Sequence, residues 1–179
     1  PVSVEHIDLD LIGGFPRVRI ALKNVSIEDP LRKDQFLLKA QYVGLGMNLF
    51  SVIQGEYIVE ELSLADGSLL LFDNGAVTNW ELIENEHEGA SKSLELSQVQ
   101  FVDLHIEYEA PKEGIGYSSY AKSALLSGTI SDSIALRGQA DLIHNILNLD
   151  GDTWINDGHL NGSFDFTGDD LLWKLTTTD

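Results

Sequence analysis

Apolar and polar positions alternate along most of this chain, and that alternation predicts strands. In residues 4–11, Ile7, Leu9 and Leu11 share one face and His6, Asp8 and Asp10 the other. Gly13-Gly14 breaks the pattern and Pro16 presets a turn. Val18, Ile20 and Leu22 then alternate with Arg17, Arg19 and Ala21, and after Lys23-Asn24 the apolar phase moves to Val25 and Ile27. A period of two that slips by one predicts a β-bulge. Asp29-Pro30 ends this strand, and residues 31–35 read as a polar loop.

Residues 36–83 organise the rest. Residues 36–47 are rich in β-forming side chains, Asn48 is placed to cap a helical turn over 49–54, and Gly55 ends that turn. Residues 57–65 put Ile58, Leu62 and Leu64 on one side of a strand. Asp66-Gly67 reads as a hairpin turn leading into an apolar strand over 68–72. Asn74-Gly75 turns the chain again, Asn79-Trp80 follows, and a second helical turn is expected near Trp80.

Beyond an acidic, Gly-containing loop at 84–91 the strands resume. This is the best internal boundary, separating a segment 1–85 from a segment 92–179 that is expected to continue the same sheet. Residues 94–108 form a long strand with Leu94, Leu96, Val102, Leu104, Ile106 and Tyr108 on one face and Val99 and Phe101 on the other. Residues 117–127 fit a further strand, and Ile134, Leu136, Gly138, Ala140 and Leu142 alternate cleanly. Turns are expected at Asp150-Gly151-Asp152, Asn156-Asp157-Gly158 and Gly168-Asp169-Asp170, with Leu160, Phe164 and Phe166 alternating between them. Short turns between successive strands favour antiparallel neighbours. The fold class expected is mainly all-β: an elongated, curled antiparallel sheet with one or two short helical turns. Its apolar residues would line an open trough or the core of a closed sandwich, and periodicity does not choose between them.

Composition narrows the function. The net charge of −18 argues against nucleic acid as a partner. Arg17, Arg19, Lys23, Arg32, Lys33 and Lys39 balance Glu5, Asp8, Asp10, Glu28, Asp29 and Asp34, so the whole excess lies beyond Lys39. A neutral first segment tolerates an anionic lipid surface better than the acidic remainder. Cysteine is absent, which excludes disulfides and thiolate metal sites. No apolar run reaches the ~20 residues needed to span a bilayer. Pro1 at the start and a strand pattern at 173–176 lead to the expectation of a piece of a longer protein.

Catalytic chemistry finds little purchase. His6, His87, His105, His144 and His159 are scattered without a metal-binding pair, and no Gly-x-Ser-x-Gly elbow or phosphate loop occurs. Asp150-Gly151-Asp152 resembles a calcium loop only in part, since Trp154 stands where a ligand belongs. No enzyme activity, metal or cofactor is expected. The features left are Asn79-Trp80, read as an Asn satisfying backbone groups at a turn and a Trp closing the sheet end, and the apolar faces themselves.

The order of several elements resembles the N-terminal region of the AsmA family of bacterial envelope proteins. The residues that carry it are Ala40 and Val43, the apolar turn 49–55, the strand residues Ile58, Leu62, Leu64 and Leu69, and Gly75 followed by Asn79-Trp80. Phe15-Pro16-Arg17-Val18, Leu22-Lys23-Asn24-Val25 and Leu94-Glu95-Leu96-Ser97-Gln98-Val99 fit as well, so the resemblance covers about the first 110 residues. Gly75 sits one residue further from Asn79-Trp80 than the pattern has it. The resemblance favours the trough and implies a non-enzymatic protein of outer-membrane biogenesis that moves phospholipid between membranes through an apolar β-groove. It implies a periplasm-facing chain anchored in the inner membrane by a helix outside this sequence. Partners would be lipid or membrane, and possible envelope proteins. Ile58, Leu62, Leu64, Leu104, Ile106 and Phe164 are the groove candidates, and Gly75, Asn79 and Trp80 the structural motif. The alternative is a cell-surface β-sandwich that binds carbohydrate or protein.

Overall fold

The computed structural model describes residues 1–11, 16–55, 58–80, 94–130, 134–168 and 172–176, and the side chains of all of these except 10, 11, 94, 95, 130, 134–136, 164–168 and 172–176. Among the described residues ten strands form one sheet. They are β1 (Val2–Ser3), β2 (His6–Leu11), β3 (Arg17–Glu28), β4 (Phe36–Asn48), β5 (Val59–Phe72), β6 (Leu94–Ala110), β7 (Ile115–Ile130), β8 (Ile134–Leu149), β9 (Asp152–Gly168) and β10 (Leu172–Thr176). Apart from β1 and β2, which share the edge beside β3, the spatial order follows the chain. The sheet is open and curled. Among the described residues the only helix is α1 (Leu49–Ile53), capped by Asn48, whose side chain accepts the Phe50 N–H at 2.9 Å.

One junction departs from the expected meander. β5 and β6 are parallel, while every other neighbouring pair is antiparallel. A parallel pair needs a connection that returns along the length of the strands, and of the residues between β5 and β6 only 73–80 are described. The part over 73–80 contains no helix, only a turn closed by an Asp73–Thr78 bridge. The expected loop at 84–91 lies outside the described residues.

Two expected turns are interior strand positions. Asp66-Gly67 does not reverse the chain, because β5 runs unbroken from Val59 to Phe72. Asn156-Asp157-Gly158 lies inside β9. In both places an Asp adopts the left-handed backbone region, with φ of 53° at Asp66 and 60° at Asp157. Asn24 (51°), Asp103 (49°) and His144 (54°) do the same on β3, β6 and β8. Asn, Asp and His tolerate this region better than other side chains.

These residues explain the slips in the apolar pattern. A left-handed residue rotates the strand so that two successive side chains point outward and the alternation then restarts. The outward pairs that contain such a residue are Lys23-Asn24, Ala65-Asp66 and Val102-Asp103; Gln41-Tyr42 on β4 and the exposed pair Lys122-Ser123 on β7 lie level with them without one. The pairings Lys23–Tyr42, Tyr42–Ala65, Ala65–Val102 and Val102–Ser123 set them in one row across five strands. From β3 to β6 the register is the same on both sides of that row, so the expected bulge at Lys23-Asn24 is a rotation without an inserted residue. The row is a crease in the sheet.

Candidate lipid-binding face

Either side of the crease, apolar residues line up across the strands on the opposite face. One row runs Leu22–Val43–Leu64–Phe101–Ala124–Ala140 from β3 to β8. The next runs Val25–Ala40–Gly67–Leu104–Ala121–Leu142. Val25, Leu38, Ala40, Val43, Leu64, Leu104 and Ala121 form one buried cluster, with Leu22, Leu45, Leu62, Leu69, Phe101, Ile106 and Leu142 packed partly buried against it. The second row alternates large with small. Gly67 and Ala121 flank Leu104, which is 0% exposed. Gly67 is required there by the backbone as well, because a Cβ on it would sit 1.9 Å from the Lys39 carbonyl oxygen.

The crease also overturns the two-faced reading of β6. Phe101 belongs to the same cluster as Leu104 and Ile106, because the rotation at Asp103 returns both sets to one face. A second irregularity between Leu96 and Val99 leaves both of those side chains buried too.

Of the groove candidates, the structure brings together Leu62, Leu64, Leu104 and Ile106. It divides them by depth. Leu64 and Leu104 are buried floor, whereas Leu62 and Ile106 keep solvent contact and can meet a ligand. Ile58 stands apart. It precedes β5, a register shift at Gly46/Met47 interrupts the alternation that would join it to Leu62, and it is 51% exposed. The Phe164 side chain lies outside the described residues. Its backbone pairs with Gly138, in the row Leu45–Leu62–Val99–Leu126–Gly138.

At the edge strand β2 the inner face emerges into solvent. Ile7 and Leu9 pair with Leu22 and Ile20 and so continue the apolar rows, and both are exposed. The edge strand therefore forms an apolar lip on the curled sheet.

The end of the sheet where β5 and β6 finish is closed by polar bonds. Asn79 is 1% exposed; its amide donates to the Leu70 carbonyl at 2.9 Å and to Asp29 Oδ2 at 3.1 Å, and its carbonyl accepts the Phe72 N–H at 2.9 Å. Asp29 also accepts from Leu31 N–H, Arg32 N–H and Arg32 Nε. Burial pushes the Asp29 carboxyl up, but these donors outweigh it and hold the group below its ordinary value. Arg32 reaches on to Glu109 Oε2 at 2.7 Å and lies 4.1 Å over the Phe72 ring. Trp80 is half-buried and tilted against Tyr108, with ring centroids 6.4 Å apart. Gly75 is at φ 75° in the preceding turn, where Asp73 accepts its N–H at 2.6 Å. Asp29 and Arg32 were not singled out in the sequence, where Asp29-Pro30 reads only as a strand end.

A buried Asn145 was also missed. It is 0% exposed and fully bonded, donating to the Leu142 and Gly158 carbonyls at 2.8 Å each and accepting from the Tyr117 hydroxyl at 2.8 Å. It fastens β8 to β9 where their register shifts. Its signal was a lone Asn breaking the apolar series Leu142, Leu147, Leu149.

No three His, Cys, Asp or Glu side chains cluster as a metal site among the described residues. His6, His105, His144 and His159 each face a carboxylate, with Asp8, Glu107, Asp157 and Asp141 at 2.6–2.8 Å. No described helix is long and apolar enough to cross a membrane. The chain matches no family model, no curated protein and no solved structure.

Proposed function

We propose that this chain binds lipid acyl chains along the inner face of its curled sheet and takes part, without catalysis, in moving lipid between membranes. The observation that carries this is the pair of apolar rows crossing from β3 to β8 on one face of a single open sheet. Leu62, Phe101, Ile106 and Leu142 offer partly buried apolar surface above a closed floor. An acyl chain laid across them gains about 0.8 kcal/mol for each CH₂ removed from water. Recognition by apolar area gives weak selection among head groups.

The resemblance to the AsmA family over about the first 110 residues supports the same reading. It extends the proposal to a bacterial envelope protein, periplasm-facing, anchored in the inner membrane and acting in outer-membrane biogenesis. The rival sandwich calls for two facing sheets, and the described strands make one. Native mass spectrometry of the purified chain tests the proposal. Co-purified phospholipid, displaced by added fatty acid, is the expected result, and a chain that carries no lipid and takes none up contradicts it.

A further inference from the structure

We propose that Asn74 is a site of self-catalysed modification, where the turn over 73–77 converts the side-chain amide to a succinimide and then to aspartate or isoaspartate. The chain contains two Asn-Gly pairs, Asn74-Gly75 and Asn161-Gly162. Glycine has no Cβ to obstruct the approach of its own nitrogen to the preceding Asn Cγ. The structure holds the first pair for that approach. The Gly75 N–H donates to Asp73 Oδ1 at 2.6 Å. Asn74 Oδ1 accepts from the Ala76 N–H at 2.9 Å and from the Val77 N–H at 3.0 Å. The nitrogen that must lose a proton therefore faces a carboxylate, and the oxygen that must take up negative charge faces two backbone donors. These are the parts of a general base and an oxyanion hole.

The steps balance with water as the sole co-reactant. Gly75 N attacks Asn74 Cγ while Asp73 takes its proton, and the charge that forms on Oδ1 lies between the Ala76 and Val77 N–H groups. The Cγ–Nδ2 bond then breaks, and the proton held by Asp73 leaves on the ammonia. Water opens the five-membered imide. Attack at Cγ gives aspartate, and attack at the main-chain carbonyl carbon gives isoaspartate, whose backbone runs through the side chain. Gly75, Ala76 and Val77 are exposed, so water reaches the ring. Asn161-Gly162 lies inside β9, paired with Asp141 and Ala140 of β8. Ring closure there must turn a peptide plane out of the ladder, so the fold protects that pair. At position 74 either product adds a negative charge, and isoaspartate lengthens the turn enclosed by the Asp73–Thr78 bridge, beside the Asn79 bonds that close the sheet end. The modification is a slow, one-way change at that closure, and it does not rest on lipid binding by the inner face.

Ageing the purified chain at neutral pH in water enriched in heavy oxygen, followed by peptide mapping, tests it. The folded chain should convert Asn74 to a mixture of aspartate and isoaspartate carrying oxygen from water, at least about tenfold faster than it converts Asn161. In urea the Asn74 rate should fall and the two sites should become comparable. Asp73→Asn keeps an acceptor for the Gly75 N–H but takes up no proton. It should slow conversion of Asn74 at least about tenfold in the folded chain and leave the rate in urea unchanged, with circular dichroism reporting the fold. Equal rates at the two sites of the folded chain, an Asn74 rate that holds or rises on unfolding, or a folded Asp73→Asn variant that converts as fast as wild type overturns the proposal. The wild-type comparison with and without urea decides it even where the variant does not fold.

Discussion

Asp66 and Asp103 occupy matching positions on the parallel strands β5 and β6, between the pairs Ala65–Val102 and Gly67–Leu104, and both are left-handed, with φ of 53° and 49°. Their side chains point outward beside Tyr120, whose hydroxyl donates to Asp103 at 3.0 Å. Two adjacent rotations at the same level keep the strands in register while both change face. That is how Leu64 and Phe101 on one side, and Leu104 on the other, come to share one apolar surface.

The first prediction concerns this backbone state. Asp103→Val should destabilise by about 1–2 kcal/mol, since a β-branched residue is penalised at positive φ. Asp103→Gly should change stability by less than about 1 kcal/mol. Urea melts of both variants check this, and equal costs would show that the crease does not depend on the left-handed residue.

Gly67→Ala should cost more, about 2–3 kcal/mol or beyond, because the new methyl meets the Lys39 carbonyl oxygen at 1.9 Å and the Ala40 Cα at 2.7 Å. Gly151→Ala is the control. It has a positive φ of 88°, which Gly67 lacks, and meets nothing within 4 Å, so its cost should stay near 1 kcal/mol. The comparison in the same melts separates close approach from backbone preference.

Asn79→Ala should cost about 2–3 kcal/mol, since it leaves the Phe72 N–H and Leu70 carbonyl without their partner. Asn79→Asp should cost at least as much at neutral pH, because it removes the donor to Asp29 and sets a second carboxylate against it. Thermal melts at neutral pH should therefore show no rescue by Asp.

The Asp29 carboxyl is held below its ordinary value of 3.8 in the folded chain. The stabilisation that follows is fully present above that unfolded value and disappears as pH falls through the lower folded one. Wild type should therefore lose stability on acidification from about pH 5 to about pH 3 more steeply than Asp29→Asn. The variant should be the weaker of the two at neutral pH. Urea melts across this range measure the difference, and parallel curves would contradict it.

Much of the fold is legible in period-two alternation. β2 and the start of β8 follow directly from it, β7 reads only as a small, polar stretch that could be a strand, and α1 follows from Asn48 and Gly55. The parallel β5–β6 junction is not legible, because strand direction there depends on the connection between Phe72 and Leu94, which period-two alternation does not specify. Asp66-Gly67 shows the other limit: local turn chemistry is the same whether a left-handed Asp closes a hairpin or rotates a continuous strand. The pairings to Ala40 on one side and Leu104 on the other decide it, and those are long-range. On the candidate face, Leu62, Leu64, Leu104 and Ile106 were legible because each lies on a strand of clear period, while Ile58 lies beyond a register shift. Asn145 and Asp29 escaped because a buried polar residue is recognised by its partners, which are distant in sequence.

The most direct test of acyl-chain binding is site-specific photocrosslinking. A benzoylphenylalanine placed at Leu62 or Ile106, on the apolar face, and at Gln41 or Lys122, on the outer face, is irradiated with a radiolabelled phospholipid. Crosslinks from positions 62 and 106, few from 41 and 122, and loss of the signal at 106 in a folded Leu62→Asp background are predicted. Crosslinks absent at every position, or equally frequent on both faces, would contradict lipid binding by the inner face.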